Sequence, residues 1–323
     1  MVTLNYLNCE YFCESFNAVL FMSITAIVLL LISAVSHASW NLLGKRENPS
    51  ISFFLVANVF GVLLFSPIIF YYLDQLLFLP AQIWYYLIGS AFCLAIYFSG
   101  LAGAYRSGDM SVAYPLARSS PVLVVTFVTL VLGRGSQISH QSVFGILMVV
   151  GGCFLIPLHR LADQRLSNYV NATCGLAFVA ALGTTGYSII DDEALRLFRG
   201  MQGLDMNDSI RAVVYACLQG GFTVCWLGLF ALLIPSERAR LRSVIRSSKI
   251  SAAATGGLMF MTYALVLISM AYVKNVSYVV AFRQVSILVG TVLGVLLLKE
   301  KLYRPRLAGV VIIFVGLVLV GTG

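Results

Sequence analysis

Two arginines stand inside stretches that otherwise hold mostly apolar side chains: Arg118 in AYRSGDMSVAYPLARSSPVLVV, residues 104–125, and Arg283 in VVAFRQVSILVGTVLGVLLLKE, residues 279–300. A guanidinium carries its N–H donors in a planar fork that matches a carboxylate or a phosphate. In an apolar run it has two uses. It grips the acidic group of a ligand, or it clamps helix-end carbonyls or pairs with an acid such as Asp191 or Glu300. Tyr114, Ser119 and Ser120 flank Arg118, while Gln284 and Ser286 flank Arg283. Such hydroxyls and amides orient small polar ligands, and they bridge helices equally well. Pro115 and Pro121 bracket Arg118, and prolines free backbone carbonyls, giving a kink, a cavity wall or simply a tolerated membrane proline.

A second set lies at helical spacing. His37, Trp40 and Asn41 fall at i, i+3 and i+4 on one helix face and are candidates to line a polar cavity. Otherwise His37 serves an interhelical hydrogen bond and Trp40 anchors the interface ahead of Lys45 and Arg46. Tyr187 and Asp191 are likewise i and i+4, but Asp191 precedes Asp192 and Glu193 and reads equally as a solvated loop acid. The candidate substrate-binding residues are therefore Arg118, Arg283, His37, Trp40, Asn41, Tyr114, Ser119, Tyr187, Gln284 and Ser286.

The elements that must position them follow from composition. The chain has 323 residues, 60% of them hydrophobic and only 11% charged, with a mean hydropathy of +0.92. Ordinary soluble domains carry about a quarter charged residues, so the solvent for this surface is lipid. A spanning helix needs about 20 apolar residues. Ten runs qualify: 18–43, 51–73, 80–105, 109–132, 142–158, 171–190, 209–234, 250–272, 276–298 and 306–321. The chain is thus expected to be an all-α integral membrane protein of ten helices, with no room for a separate soluble domain.

The net charge of +8 lies mainly in short loops beside these runs, which makes it a topology signal and not a nucleic-acid one. Fourteen Lys and Arg, among them Arg106, Arg238, Arg240, Arg242, Arg246 and Lys249, fall on one face. The other face holds five: Arg134, Arg196, Arg199, Arg211 and Lys274. The positive-inside rule then puts both termini outside the cytoplasm. Residues 1–21 lack the basic start of a signal peptide and read as an extension ahead of a cleaner helix beginning at Met22.

Several activities have no basis in these residues. The seven cysteines form no CxxC pair and have no histidine at zinc spacing, so no metal or cofactor is expected, and those in apolar runs read as small buried hydrophobes. There is no GxxxxGK[ST] loop for ATP, no HExxH, and no GxSxG elbow with triad partners; an enzyme is not expected. Asp74, Asp109, Asp191 and Glu300 are placed at or beyond span ends, which disfavours expulsion of cations by a buried acid. His37 is then the candidate for titration near neutral pH within a span.

The chain also repeats itself. The stretch at 104–125 aligns with AYVKNVSYVVAFRQVSILVG at 271–290, matching Arg118 to Arg283. VSHASWNLLGKR at 35–46 lies beside LGTTGYSIIDDE at 182–193, and GILMVVGG at 145–152 beside GVVIIFVG at 309–316. In the last pair Gly145 and Gly152, like Gly309 and Gly316, are seven apart and share a face, which lets helices five and ten approach closely. Gly290 and Gly294 form a GxxxG of the same kind in helix nine. Five helices per repeat is an odd number, so the two copies enter the membrane from opposite sides, and transporters built this way bind substrate near the midplane.

GDMSVAYPLARSSP, YSIIDDEALR and FRQVSILVGTVLGVLLLKEKLYRPRLAG resemble the drug/metabolite transporter superfamily, specifically its EamA-type ten-helix members, over nearly the whole chain from about residue 22. The resemblance implies two inverted five-helix repeats, 22–165 and 166–323, around a central cavity, moving small metabolites without ATP. The family's Glu after helix nine is Glu300, but the matching first-half position is Gly135. The expected function is secondary transport of an acidic or zwitterionic metabolite (amino acid, organic acid, or phosphate or phosphonate compound) by alternating access. A multidrug or amine exporter and a non-transporting membrane subunit remain the alternatives. The expected partners are a small-molecule substrate and the bilayer, with no nucleic acid, for a monomer or weak homodimer in a bacterial inner membrane.

Overall fold

The computed structural model describes residues 22–47, 50–107, 121–122, 124–128, 130–134, 138–155, 158, 172–289, 292 and 303–322. An antiparallel bridge between Met22 and Val273 precedes α1 (Ile24–Arg46). Ser50 accepts from Phe53 N at 3.0 Å and caps α2 (Ile51–Phe65). The run expected to continue to residue 73 breaks into α3 (Pro67–Tyr71) and α4 (Leu73–Leu76). Proline is the reason: Pro67 offers no N–H to Leu63 O, and Ser66 Oγ donates there instead at 2.9 Å. Then come α5 (Ala81–Ser107), a π-turn at Leu130–Arg134 with Gly133 at φ 74°, and α6 (His140–Leu155).

The second half holds α7 (Ala172–Gly200), α8 (Asp208–Leu233), α9 (Pro235–Ser247), α10 (Lys249–Ser269), α11 (Val276–Phe282) and α12 (Arg304–Thr322). A 3₁₀ turn, Met270–Tyr272, prolongs α10. Two expectations are corrected here. α7 runs ten residues past the expected end at 190, because Asp191 and Asp192 are buried and partnered instead of solvated. The basic segment 235–247, read as loop, is a helix with Pro235 in its first turn, Glu237 beside it and Arg246 in its last turn, the arrangement that suits a helix dipole.

Four stretches, Ile24–Asn41, Ala81–Ala104, Asp208–Leu233 and Lys249–Tyr272, are long and apolar enough to cross a membrane. Their patterning is that of a lipid-facing bundle. Ile24, Val28, Leu31, Ile32 and Val35 form the exposed stripe of α1, whereas Ser33, Ser36 and His37 are buried. Ser33 Oγ donates to Thr262 O at 2.9 Å and Ser36 Oγ to Leu258 O at 3.1 Å, fastening α1 to α10. Such inward hydroxyls join helices where lipid outside offers no hydrophobic drive.

α5 packs along α7, α1 along α10, and α6 along α12, while α2 meets both α8 and α10 and α8 meets α5. At the α6–α12 contact a Cβ on Gly145 would lie 2.6 Å from Gly316 O, and one on Gly152 would lie 2.7 Å from Gly309 O. Glycine is therefore required at both positions by backbone approach.

The charged ends separate as the loop residues suggest. At one end Glu237, buried, accepts from Arg106 and Arg240 at 2.8 Å each and from Ser52 N at 3.1 Å. Burial pushes this carboxyl up, but the Ser52 amide and the two guanidiniums outweigh it and hold it below the ordinary glutamate range. At the other end Arg211 donates to Phe198 O at 2.6 Å and to Arg199 O at 2.8 Å, closing the α7–α8 turn.

Candidate functional site

α11 ends in a departure from α-helical bonding. Arg283 N still reaches Val279 O at 3.0 Å, but Gln284 N turns to Ala281 O and Ile287 N to Gln284 O, both three residues back. Tightening of this kind leaves carbonyls without their usual partners. Gln284 Nε2 donates to Val280 O at 3.2 Å and Ser286 Oγ to Arg283 O at 2.8 Å. The two polar neighbours of Arg283 thus serve the backbone of their own helix, and the arginine side chain is left to point elsewhere.

It points into a cavity. About 600 Å³ of empty space, counting its open mouth, lies between α1, α2, α5, α7, α8, α10 and Arg283. Arg283 Nη2 donates to Tyr187 Oη at 3.0 Å, and the guanidinium carbon stands 5.8 Å from that ring's centre. Among the described residues no carboxylate forms an ion pair with Arg283, Asp191 included. The lining also includes aromatic and apolar Phe98, Met259 and Phe260 and polar Gln219, Thr262 and Tyr263.

His37 and Trp40 line the same space, their rings edge to face with centroids 4.8 Å apart. Asn41 does not line it: its Nδ2 donates to His37 O at 2.9 Å, within α1. Of the residues proposed from the sequence, the structure brings His37, Trp40, Tyr187 and Arg283 together at one cavity. Gln284 and Ser286 do not line it, and Arg118, Tyr114 and Ser119 lie outside the described residues.

Behind the cavity wall is Asp191, which the sequence reading placed at a span end; its burial removes that ground against expulsion of cations by a buried acid. Asp191 is fully buried. Ser90 Oγ donates to its Oδ1 at 2.5 Å, Tyr215 Oη at 2.9 Å and Gln219 Nε2 at 3.0 Å, and Tyr263 Oη donates to Oδ2. These donors come from α5, α8 and α10, so one carboxylate ties four helices. Gln219 is eleven residues into α8, about 16 Å along it at 1.5 Å per residue, roughly mid-bilayer for an apolar core of about 30 Å. The signal was available: Tyr187, Asp191 and Leu195 share a face, all nearly inaccessible. Neighbouring Asp192 and Glu193 concealed it. Asp192 is itself buried and pairs with Arg196 at 2.9 Å.

Tyr97, Gln219 and Tyr263 also belong to the cavity but carried weak or no signal in the sequence. Tyr97, Tyr187 and Tyr263 form a chain of edge-to-face rings, 6.1 and 5.8 Å between centroids. Aromatic rings offer broad contact area with one polar tip each.

Residues 24–158 match the model of the EamA-like transporter family, which bears out the resemblance read in the sequence. A solved structure titled only "Crystal structure of protein" is 18% identical and superposes with a TM-score of 0.61, over 91% of this chain and 95% of that one. That likeness concerns the fold alone. No protein of curated function matches the chain. The family match over residues 24–158 and the apolar helices together indicate an integral membrane protein whose first half is similar to transporters of the drug/metabolite type.

Proposed function

From the EamA-like character of residues 24–158, we propose that the protein is an ATP-independent transporter of a small metabolite bearing an acidic group, free or within a zwitterion, and that it works by alternating access. The observation that carries this reading is Arg283, a cation at the cavity with a tyrosine hydroxyl as its described partner. A charged group at mid-membrane costs about 2.5–3.5 kcal/mol on insertion scales. A ligand carboxylate or phosphate offsets that cost in the bound state, through a charge-assisted bond that a neutral ligand lacks. Phe98, Met259 and Phe260 accept the ligand's apolar part, and Trp40 and Tyr187 bound it from the sides.

The architecture in this reading is ten helices in two inverted five-helix units, 22–165 and 166–323. The helix pairing supports it. Exchange α1 with α7, α2 with α8, α5 with α10 and α6 with α12, and the contact α1–α10 becomes α7–α5, α2–α10 becomes α8–α5, and α2–α8 and α6–α12 map onto themselves. Trp40 and Tyr187, which occupy matching places in the aligned segments 35–46 and 182–193, both line the cavity. Transport then consists of one unit rocking against the other around the ligand. The α6–α12 contact lies within one chain, so a monomer or weak homodimer suffices, in a bacterial inner membrane and without nucleic acid.

The test is thermal unfolding of the purified protein with a panel of amino acids, organic acids, phosphonates and cationic dyes, repeated with Arg283→Ala. Ligands of the folded state raise its apparent stability. Stabilisation by acidic or zwitterionic compounds that the variant loses supports the reading. Stabilisation by cations alone, equal in both proteins, makes the exporter the better one.

A further inference from the structure

We infer that Asp191 is a proton-binding site of the transporter, loaded from the central cavity through the hydroxyl of Tyr263.

The geometry supplies both the site and its path. Asp191 has no contact with solvent, but two of its four partners, Gln219 and Tyr263, line the cavity. Tyr263 Oη donates to Asp191 Oδ2 and accepts from Gln219 Nε2 at 3.0 Å, so among the described residues it is the hydroxyl that joins the carboxylate to the cavity. The transfer balances in one relay. A protonated cavity water gives its proton to the Tyr263 oxygen, the phenolic O–H already aimed at Asp191 breaks, and a new O–H forms on Oδ2. Tyrosine is unchanged, and the carboxylate has become a neutral acid.

Burial penalises the charge, whereas four hydrogen bonds from Ser90, Tyr215, Gln219 and Tyr263 restore it. The groups facing Asp191 are these four, with Cys93 of α5 within reach of its field, and Tyr187 one turn back on its own helix carrying Arg283. No cation among the described residues pairs with Asp191, and a metal ion suits the site poorly because its surrounding groups present hydrogens to the carboxylate.

Gln219 makes the state of the acid matter. Its Nε2 lies within 3.0 Å of Ser90, Asp191 and Tyr263, three acceptors for two hydrogens, while its Oε1 is buried with no hydrogen-bond partner among the described residues. A protonated Asp191 is a donor, and rotation of the amide would give Oε1 that donor and return the NH₂ to the cavity. Proton and ligand binding are then linked, and linkage is reciprocal. The use of the proton in transport rests on the proposed function; the existence of the site does not.

The experiment is an infrared pH titration of the purified full chain in detergent, with no other ligand than the proton, on wild type, Asp191→Asn, Asp191→Glu and Tyr263→Phe. A protonated carboxyl signal that titrates reversibly between about pH 4 and 9, is absent in Asp191→Asn and changes frequency in Asp191→Glu, is the expected result. After a pH jump its appearance should slow by about 10-fold or more in Tyr263→Phe. Should Asp191→Asn fail to fold, the frequency change in Asp191→Glu assigns the signal. A wild-type protein without such a signal, or one whose signal is unmoved by both Asp191 variants, would overturn the inference, whatever the ligand panel had given for Arg283.

Discussion

Arg283 and Asp191 each bond to one ring of the Tyr187–Tyr263 pair, and their surroundings differ. Arg283 meets the hydroxyl and the ring of one residue, Tyr187, and in the proposed function its charge serves a ligand. Replacing it with alanine should weaken binding of acidic compounds by about 10-fold or more, the worth of a hydrogen bond to a charged group, while Arg283→Lys should retain part of the affinity. Isothermal titration with the best stabilising acid of the panel measures this. Glu237 gives a pH prediction outside the membrane. Its folded value is held below the ordinary one, so its contribution to stability is complete above the ordinary glutamate range and is lost as pH falls through the depressed value. Thermal unfolding against pH should show an acid-side decline that is shallower in Glu237→Gln, with lower stability at neutral pH. At this scale Arg283, His37, Trp40 and Tyr187 were legible because each is polar or bulky in an apolar run. Asp191 was not, because a carboxylate followed by two more reads as the end of a helix. Ser90, Tyr215, Gln219 and Tyr263, distant in sequence, reveal that it is inside.

Helices here are recognised by their lipid faces and joined by their small residues. α12 exposes Leu307, Val311, Phe314, Val315 and Val318 and turns Gly316 towards α6, where an added Cβ would meet Gly145 O at 2.7 Å. Gly316→Val should therefore cost about 1–3 kcal/mol of stability by overpacking, seen as a lowered unfolding temperature, whereas Val315→Leu on the exposed face should be neutral. Glycines seven apart announced this contact in the sequence. α9 was hidden for the opposite reason: its arginines suggested a loop, and its place depends on Glu237 bonding to Ser52 and Arg106, which stand 185 and 131 residues earlier. The interruption at Ser66 and Pro67 belongs to the same class, a proline whose effect is settled by whether a neighbouring hydroxyl serves the freed carbonyl.

For the whole molecule, the two charged ends fix a sidedness that the positive-inside rule turns into a prediction. With α9 towards the cytoplasm, Ser247→Cys should react with an impermeant thiol reagent only after cells are opened, and Gln202→Cys, in the α7–α8 turn, should react in intact cells; both positions are exposed. The reverse pattern would invert the assignment but leave the cavity unchanged. Between those ends, in the proposed function, the Arg283 cavity carries an acidic small molecule across the bilayer without ATP. Exchange of radiolabelled acidic and zwitterionic metabolites by purified protein in liposomes, wild type beside Arg283→Ala, puts this to the test. ATP-independent exchange of such a compound, reduced about 10-fold or more in the variant, is the predicted result. Exchange of cations alone, at equal rates in the two proteins, would contradict the claim.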